Sequence, residues 1–180
     1  MTEYYFDTET TGIEPEEDKI ITIQWQPLSS LSGEPVGELE ILKEWESSEE
    51  SIISRFLPKV QQENPWEFIM VGKNLLFDFM FLSKRSASYG IRNVDLRFLY
   101  SRVSLDIKPI LVMMNRGSFR GYDKVMDKEG ELAKVDIPSL YRDGKYEDIV
   151  RYVSQETQTF VGFYQMLKKE MPTIGADILN

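Results

Sequence analysis

The sequence predicts an α/β domain built on a mixed sheet. Two observations carry this. Strand-like runs separated by turn-forming residues fill the first 45 positions, and after them helical spacings alternate with short apolar runs. Strands first, then strands mixed with helices, put helices on a sheet that begins as an antiparallel meander. A chain of 180 residues makes one domain, 1–180, with room for a sizeable core.

Each element has its own signal. Residues 3–9, rich in Tyr and Phe, form a first strand that stops at Thr10, Thr11 and Gly12. Residues 19–28 form a second, and 37–45 alternate well enough for a third, with a turn at 29–35 between them. Ile52, Ile53, Phe56, Leu57 and Val60 then recur at helical spacing behind a Ser/Glu start, and Pro58 is expected to kink or end that helix. Residues 67–74 read as a short buried strand, and 75–90 as a helix closed by Gly90. A strand near 102–106 leads into the run 107–115, Ile-Lys-Pro-Ile-Leu-Val-Met-Met-Asn, and then an irregular middle at 116–125. The last long helix runs from about Lys145 to Lys169, with 171–180 as a tail.

Composition narrows the chemistry. There is no cysteine, so disulfides, thiolate metal sites and thiol nucleophiles are excluded. There is no histidine, which removes the commonest general base and the usual zinc ligand. Any catalysis must run on carboxylates, hydroxyls, phenols or amines, and any metal on oxygen ligands, which favours magnesium or manganese. No apolar run approaches the length of a membrane span, and the N-terminus lacks the features of a signal peptide, so a cytoplasmic protein is expected.

The net charge of −9 is unevenly placed. Residues 1–67 hold 16 acidic and 4 basic side chains, whereas 84–124 hold 9 basic and 3 acidic, with Phe98, Tyr100, Phe119 and Tyr122 interleaved. A positive region beside an acidic centre could guide a phosphate backbone, although a charge run is also what a solvated face looks like.

Four carboxylates lie in apolar surroundings. Asp7 and Glu9 are two apart on the first strand and so share a face. Asp78 sits within Leu-Leu-Phe-Asp-Phe-Met-Phe-Leu, where an ionised group is costly unless paired or metal-bound. Glu156 falls in the stripe formed by Ile149, Val153, Phe160, Tyr164 and Leu167, with Tyr152 one turn before it. If these segments converge, repulsion raises the carboxylate pKa values unless cations intervene. Two divalent ions about 4 Å apart would neutralise them, an arrangement suited to in-line attack on a phosphodiester.

The motifs around these residues resemble those of the DEDD (DnaQ-like) 3′–5′ exonucleases. Phe-Asp-Thr-Glu-Thr-Thr-Gly at 6–12 is similar to their first motif. Residues 71–82, Val-Gly-Lys-Asn-Leu-Leu-Phe-Asp-Phe-Met-Phe-Leu, resemble the second in the form found in family B DNA polymerase proofreading domains. Residues 152–164 are similar to the third motif of the tyrosine branch. The resemblance runs over 4–167 and implies a ribonuclease H-like fold with a mixed five-stranded sheet, its first three strands antiparallel, flanked by helices. It implies a 3′–5′ exonuclease that hydrolyses phosphodiester bonds at single-stranded DNA or RNA ends with two Mg²⁺ or Mn²⁺ ions. Asp7, Glu9, Asp78 and Glu156 would then be metal ligands, and Tyr152 would orient or help deprotonate the attacking water. Thr10, Thr11, Gly12 and Asn74 would contact the nucleic acid. One departure stands out: the family's fourth carboxylate is Asp, and Glu156 is longer by a methylene. A degenerate module that binds nucleic acid or protein without catalysis is the alternative. An aspartate-nucleophile phosphatase fits less well, because Glu9 stands where such enzymes need a second Asp.

Overall fold

The computed structural model describes residues 2–126 and 134–179, with side chains to residue 174. Its sheet has five strands: β1 (Thr2–Thr10), β2 (Ile20–Ser29), β3 (Glu40–Lys43), β4 (Ile69–Gly72) and β5 (Ser104–Asp106). Their spatial order is β3-β2-β1-β4-β5. β1 pairs antiparallel with β2, β2 antiparallel with β3, and β4 runs parallel to both β1 and β5. The expected antiparallel start and mixed five-stranded sheet are both present.

Helices cover both faces. On one side α1 (Glu49–Val60), α2 (Leu75–Ser88) and α3 (Leu96–Ser101) pack on Phe6, Ile23, Trp25 and Met70, with Phe56, Phe79, Leu82 and Leu99 at the centre. On the other, α4 (Lys108–Met114), α5 (Ile137–Arg142) and α6 (Tyr146–Leu179) bury Tyr5, Leu28 and Val71 against Leu111, Phe160 and Tyr164. Ile21, Ile149 and Val153 continue that second layer toward α5. β1, in the middle of the sheet, therefore sends alternate side chains into two cores.

Two local expectations change. The third strand covers four residues, not nine, because the chain turns into a 3₁₀ segment at Glu44–Glu46. There Trp45 stacks on Tyr146 at 4.7 Å and Glu44 takes bonds from Lys19 and Tyr141, contacts that a straight strand would not make. The apolar run that follows β5 is a helix over Lys108–Met114 with proline in its first turn, where a missing N–H costs nothing. The last helix continues through Pro172 to Leu179, since one proline removes one hydrogen bond and bends a helix more readily than it ends it. Pro58 likewise lies inside the last turn of α1, whose apolar stripe holds the helix in place.

Candidate active site

The tip of β1 is where the acidic residues meet. Asp7 and Glu9 point to the α6 side, and one oxygen each of Asp7, Glu9 and Glu156 lies within 4.8 Å of the others. A register shift between Glu9 and Thr10 inserts Ile21 of β2 as an extra residue at this point. Ile21 packs on Ile149 and Val153, one turn ahead of Glu156, and so ties the strand end to α6.

Neighbouring side chains hold the group in place. Gln24, directly opposite Asp7 on β2, donates its amide to Asp7 Oδ2 at 2.9 Å. Thr22, opposite Glu9, donates its hydroxyl to Gln24 Oε1 at 2.9 Å, which fixes the amide's orientation. Tyr5 Oη approaches Asp7 Oδ2 at 3.4 Å. Glu9 Oε1, by contrast, is buried and has no hydrogen-bond partner. A buried carboxylate oxygen without a donor is expensive unless a cation belongs beside it.

Asp78 approaches from the opposite face. It is 2% exposed, and its Oδ1 accepts from Thr8 N at 3.0 Å and Thr8 Oγ1 at 2.6 Å. Thr8 lies between Asp7 and Glu9 and faces the α2 side, so Asp78 reaches the strand end without joining the close three-carboxylate group. Its charge is nonetheless felt at both Asp7 and Glu9.

Crowding has the expected electrostatic effect. Burial, followed by repulsion from Glu156 and then Asp78, pushes Asp7 well above the usual carboxylate range. Burial, then Glu156 and Asp7, does the same to Glu9. Burial pushes Asp78 up to about 7 against the opposing hydrogen bonds from Thr8. Burial and the nearby Glu156, Glu9 and Asp7 raise the Tyr152 phenol, so it keeps its proton at neutral pH and acts as a donor.

The residues after β1 build a tight loop. Thr11 Oγ1 bonds Asp18 Oδ1 at 3.2 Å and accepts Lys19 N at 3.0 Å, while Glu14 N bonds Asp18 Oδ2 at 2.9 Å. A side chain at Gly12 would push the Asp18 carboxylate away from its bonds to Thr11 and Glu14 N. Thr10 donates to the Gly12 carbonyl. Asn74, in a left-handed conformation at φ 65°, begins α2, and its Oδ1 accepts Lys108 Nζ at 2.7 Å. Asp106 caps the same helix by accepting from Asn74 N and Leu75 N. The side chains of Thr10, Thr11 and Asn74 are thus all engaged within the protein.

Part of the basic region serves the fold. Arg85 forks onto buried Glu49 through Nε at 2.9 Å and a terminal nitrogen at 2.7 Å. Arg102 donates to the carbonyls of Gln62 and Asn64. Phe119 and Tyr100 are exposed.

Three contributors carried no role in the sequence reading: Gln24, Thr22 and Lys73. The first two were findable. They are polar residues at period two in an otherwise apolar strand, and antiparallel pairing sets them opposite Asp7 and Glu9. Lys73 follows β4 and comes within 3.5 Å of Glu156 Oε1, a contact across 83 residues that no local pattern reveals.

No protein-family model matches the chain, and no curated protein matches it. Several solved exonuclease I structures are similar to it. Exonuclease I in its apo form aligns at TM-score 0.49 and 15% identity, covering 67% of this chain and 32% of that one. The metal-free E. coli exonuclease I–single-stranded DNA complex aligns at TM-score 0.48 and 15% identity, covering 67% and 31%. A moderately thermophilic exonuclease I from Methylocaldum szegediense aligns at TM-score 0.45 and 17% identity, covering 72% and 30%. The chain spans about a third of the length of these proteins.

Proposed function

We propose that this protein is a metal-dependent 3′–5′ exonuclease acting on single-stranded DNA or RNA ends. The observation that carries the reading is the meeting of Asp7, Glu9 and Glu156 within 4.8 Å, beside a buried Glu9 oxygen that lacks a donor. Oxygen-only donors at this density suit a hard divalent cation, Mg²⁺ or Mn²⁺. Asp7, Glu9 and Glu156 would hold an ion, and Asp78, bonded to Thr8 on the other face of β1, would add its negative charge beside the group. Bound ions would supply Lewis acidity at the scissile phosphate and make water a better nucleophile.

The chain's own residues do the rest. Gln24 and Thr22 keep Asp7 in one rotamer, so the carboxylates are positioned before substrate arrives. Tyr152, its phenol protonated, orients the attacking water by hydrogen bonding. The bulge at Ile21 keeps the end of β1 and α6 in register. Thr10, Thr11 and Gly12 offer the loop on which a terminal nucleotide would rest.

Labelled single-stranded DNA and RNA are incubated with Mn²⁺ or Mg²⁺ and then with EDTA. The expected result is stepwise shortening from the 3′ end that stops on chelation and is abolished in Asp7→Ala. Degradation that survives EDTA, or an Asp7→Ala protein as active as the parent, refutes the proposal. A second reading, a non-catalytic binding module on the same fold, is favoured by the Lys73 ammonium standing against Glu156. Metal binding without cleavage of either polymer would decide for it.

A further inference from the structure

Lys73 is unlike Arg85, the charged partner of buried Glu49. The Arg85–Glu49 pair is locked by two short hydrogen bonds, and Tyr89 adds a third at 2.7 Å. Lys73 Nζ stands 3.5 Å from Glu156 Oε1, beyond the 2.7–2.9 Å of a charge-assisted hydrogen bond. The side chains are 28% and 15% exposed, so the pair is neither sealed nor free in water. Burial opposes the ammonium charge, but attraction from Glu156 and then Asp7 outweighs it and keeps the lysine protonated.

The backbone carrying Lys73 is fixed, whereas its side chain is held by no short hydrogen bond among the described residues. Gly72 precedes it, and a Cβ there would press on Phe6 O at 2.6 Å and on a Leu75 methyl at 2.5 Å, so only glycine lets β4 lie this close to β1. Asn74 follows, in its left-handed turn, with its N–H taken by Asp106. A long flexible arm thus extends from a rigid anchor into the carboxylate group. Its charge does what a cation does there, without, among the described residues, the directional bonds that would hold it against competition.

We infer that Lys73 is a resident, displaceable counter-ion of the carboxylate pocket, which divalent ions must push away from Glu156 in order to bind. This rests on the metal-dependent reading above and adds that this chain's affinity for divalent ions is set by Lys73. Replacing the ammonium with an uncharged chain of similar length removes the competitor. The metal-free pocket then loses its compensating charge, while the metal-loaded pocket does not need it.

The test is calorimetric titration of Mn²⁺ into the parent protein, Lys73→Met and Lys73→Arg, with melting temperatures of each in EDTA and in saturating Mn²⁺. Lys73→Met is expected to bind Mn²⁺ about tenfold more tightly, the scale of a partly buried ion pair. It should melt below the parent in EDTA and level with or above it in Mn²⁺, and Lys73→Arg should follow the parent. A purely structural role for Lys73 would lower the melting temperature equally in both conditions, and that outcome overturns the inference. So does unchanged or weaker Mn²⁺ binding by Lys73→Met while the parent binds Mn²⁺. If Lys73→Met does not fold, Lys73→Gln is titrated under the same criteria. A parent that binds no Mn²⁺ at millimolar concentration refutes the metal reading itself, a result distinct from a bound ion that ignores Lys73.

Discussion

Asp78→Asn tests the electrostatics of the site without touching the three grouped carboxylates. Asparagine keeps the Oδ1 acceptor that serves Thr8 N and Thr8 Oγ1 but never ionises. Asp78 is pushed up to about 7 by burial, against about 3.9 for an exposed aspartate. A folded-state pKa above the unfolded one means the native protein binds more protons between those limits. The wild type therefore loses stability as pH rises from about 4 to about 7, and the loss is complete above 7. Three pKa units correspond to roughly 4 kcal/mol. Asp7 and Glu9, raised by burial and then by repulsion from Glu156, add to the decline with the same sign. The new amide also brings a buried NH₂ that costs about 1–3 kcal/mol if it finds no acceptor, but that cost does not vary with pH. The measurement is urea denaturation in EDTA from pH 4.5 to 8, followed by tryptophan fluorescence. The stability of Asp78→Asn relative to wild type should climb by about 3 kcal/mol across that range, the first part of the window lying below pH 4.5. A difference that stays flat, or falls as pH rises, refutes the reasoning.

Three other perturbations have defined outcomes. Glu49→Ala strands the Arg85 guanidinium and the Ile20 N–H beside a buried site, and should cost about 3–5 kcal/mol in urea denaturation; a loss below 1 kcal/mol would count against it. Gln24→Leu removes the amide that orients Asp7 and should weaken Mn²⁺ binding about tenfold by calorimetry, whereas unchanged affinity would show the contact to be idle. Tyr152→Phe should lower kcat on a single-stranded substrate about 10²-fold with Mn²⁺ affinity intact, and a variant with undiminished kcat removes Tyr152 from the mechanism.

Much of this arrangement was legible in the residues. Period two placed Asp7 and Glu9 on one face of β1, and the apolar stripe of α6 placed Glu156 toward the core, because both inferences depend only on local geometry. What was hidden depended on pairing across the sheet or on contacts distant in sequence. Gln24 becomes a partner of Asp7 only once β2 is in register, and Lys73 meets Glu156 only once α6 folds across the strand ends. Asp78 was marked as a costly buried acid, yet its partner, Thr8, is 70 residues away. Proline misled in a different way. Pro172 carries a local penalty against helix, yet α6 continues around it to Leu179, whereas α1 ends two residues after Pro58.

β1 is third in a five-stranded sheet with helices on both faces, and it supplies Asp7 and Glu9 to one side and Thr8 to the other. Neither an edge nor a loop offers it a cheap route to local opening. Amide hydrogens over residues 3–5, where β1 is paired on both sides, should consequently exchange with solvent only when the whole domain unfolds. An ion seated at the end of this strand would slow exchange at amides throughout both cores, so deuterium uptake far from the pocket would report its occupancy.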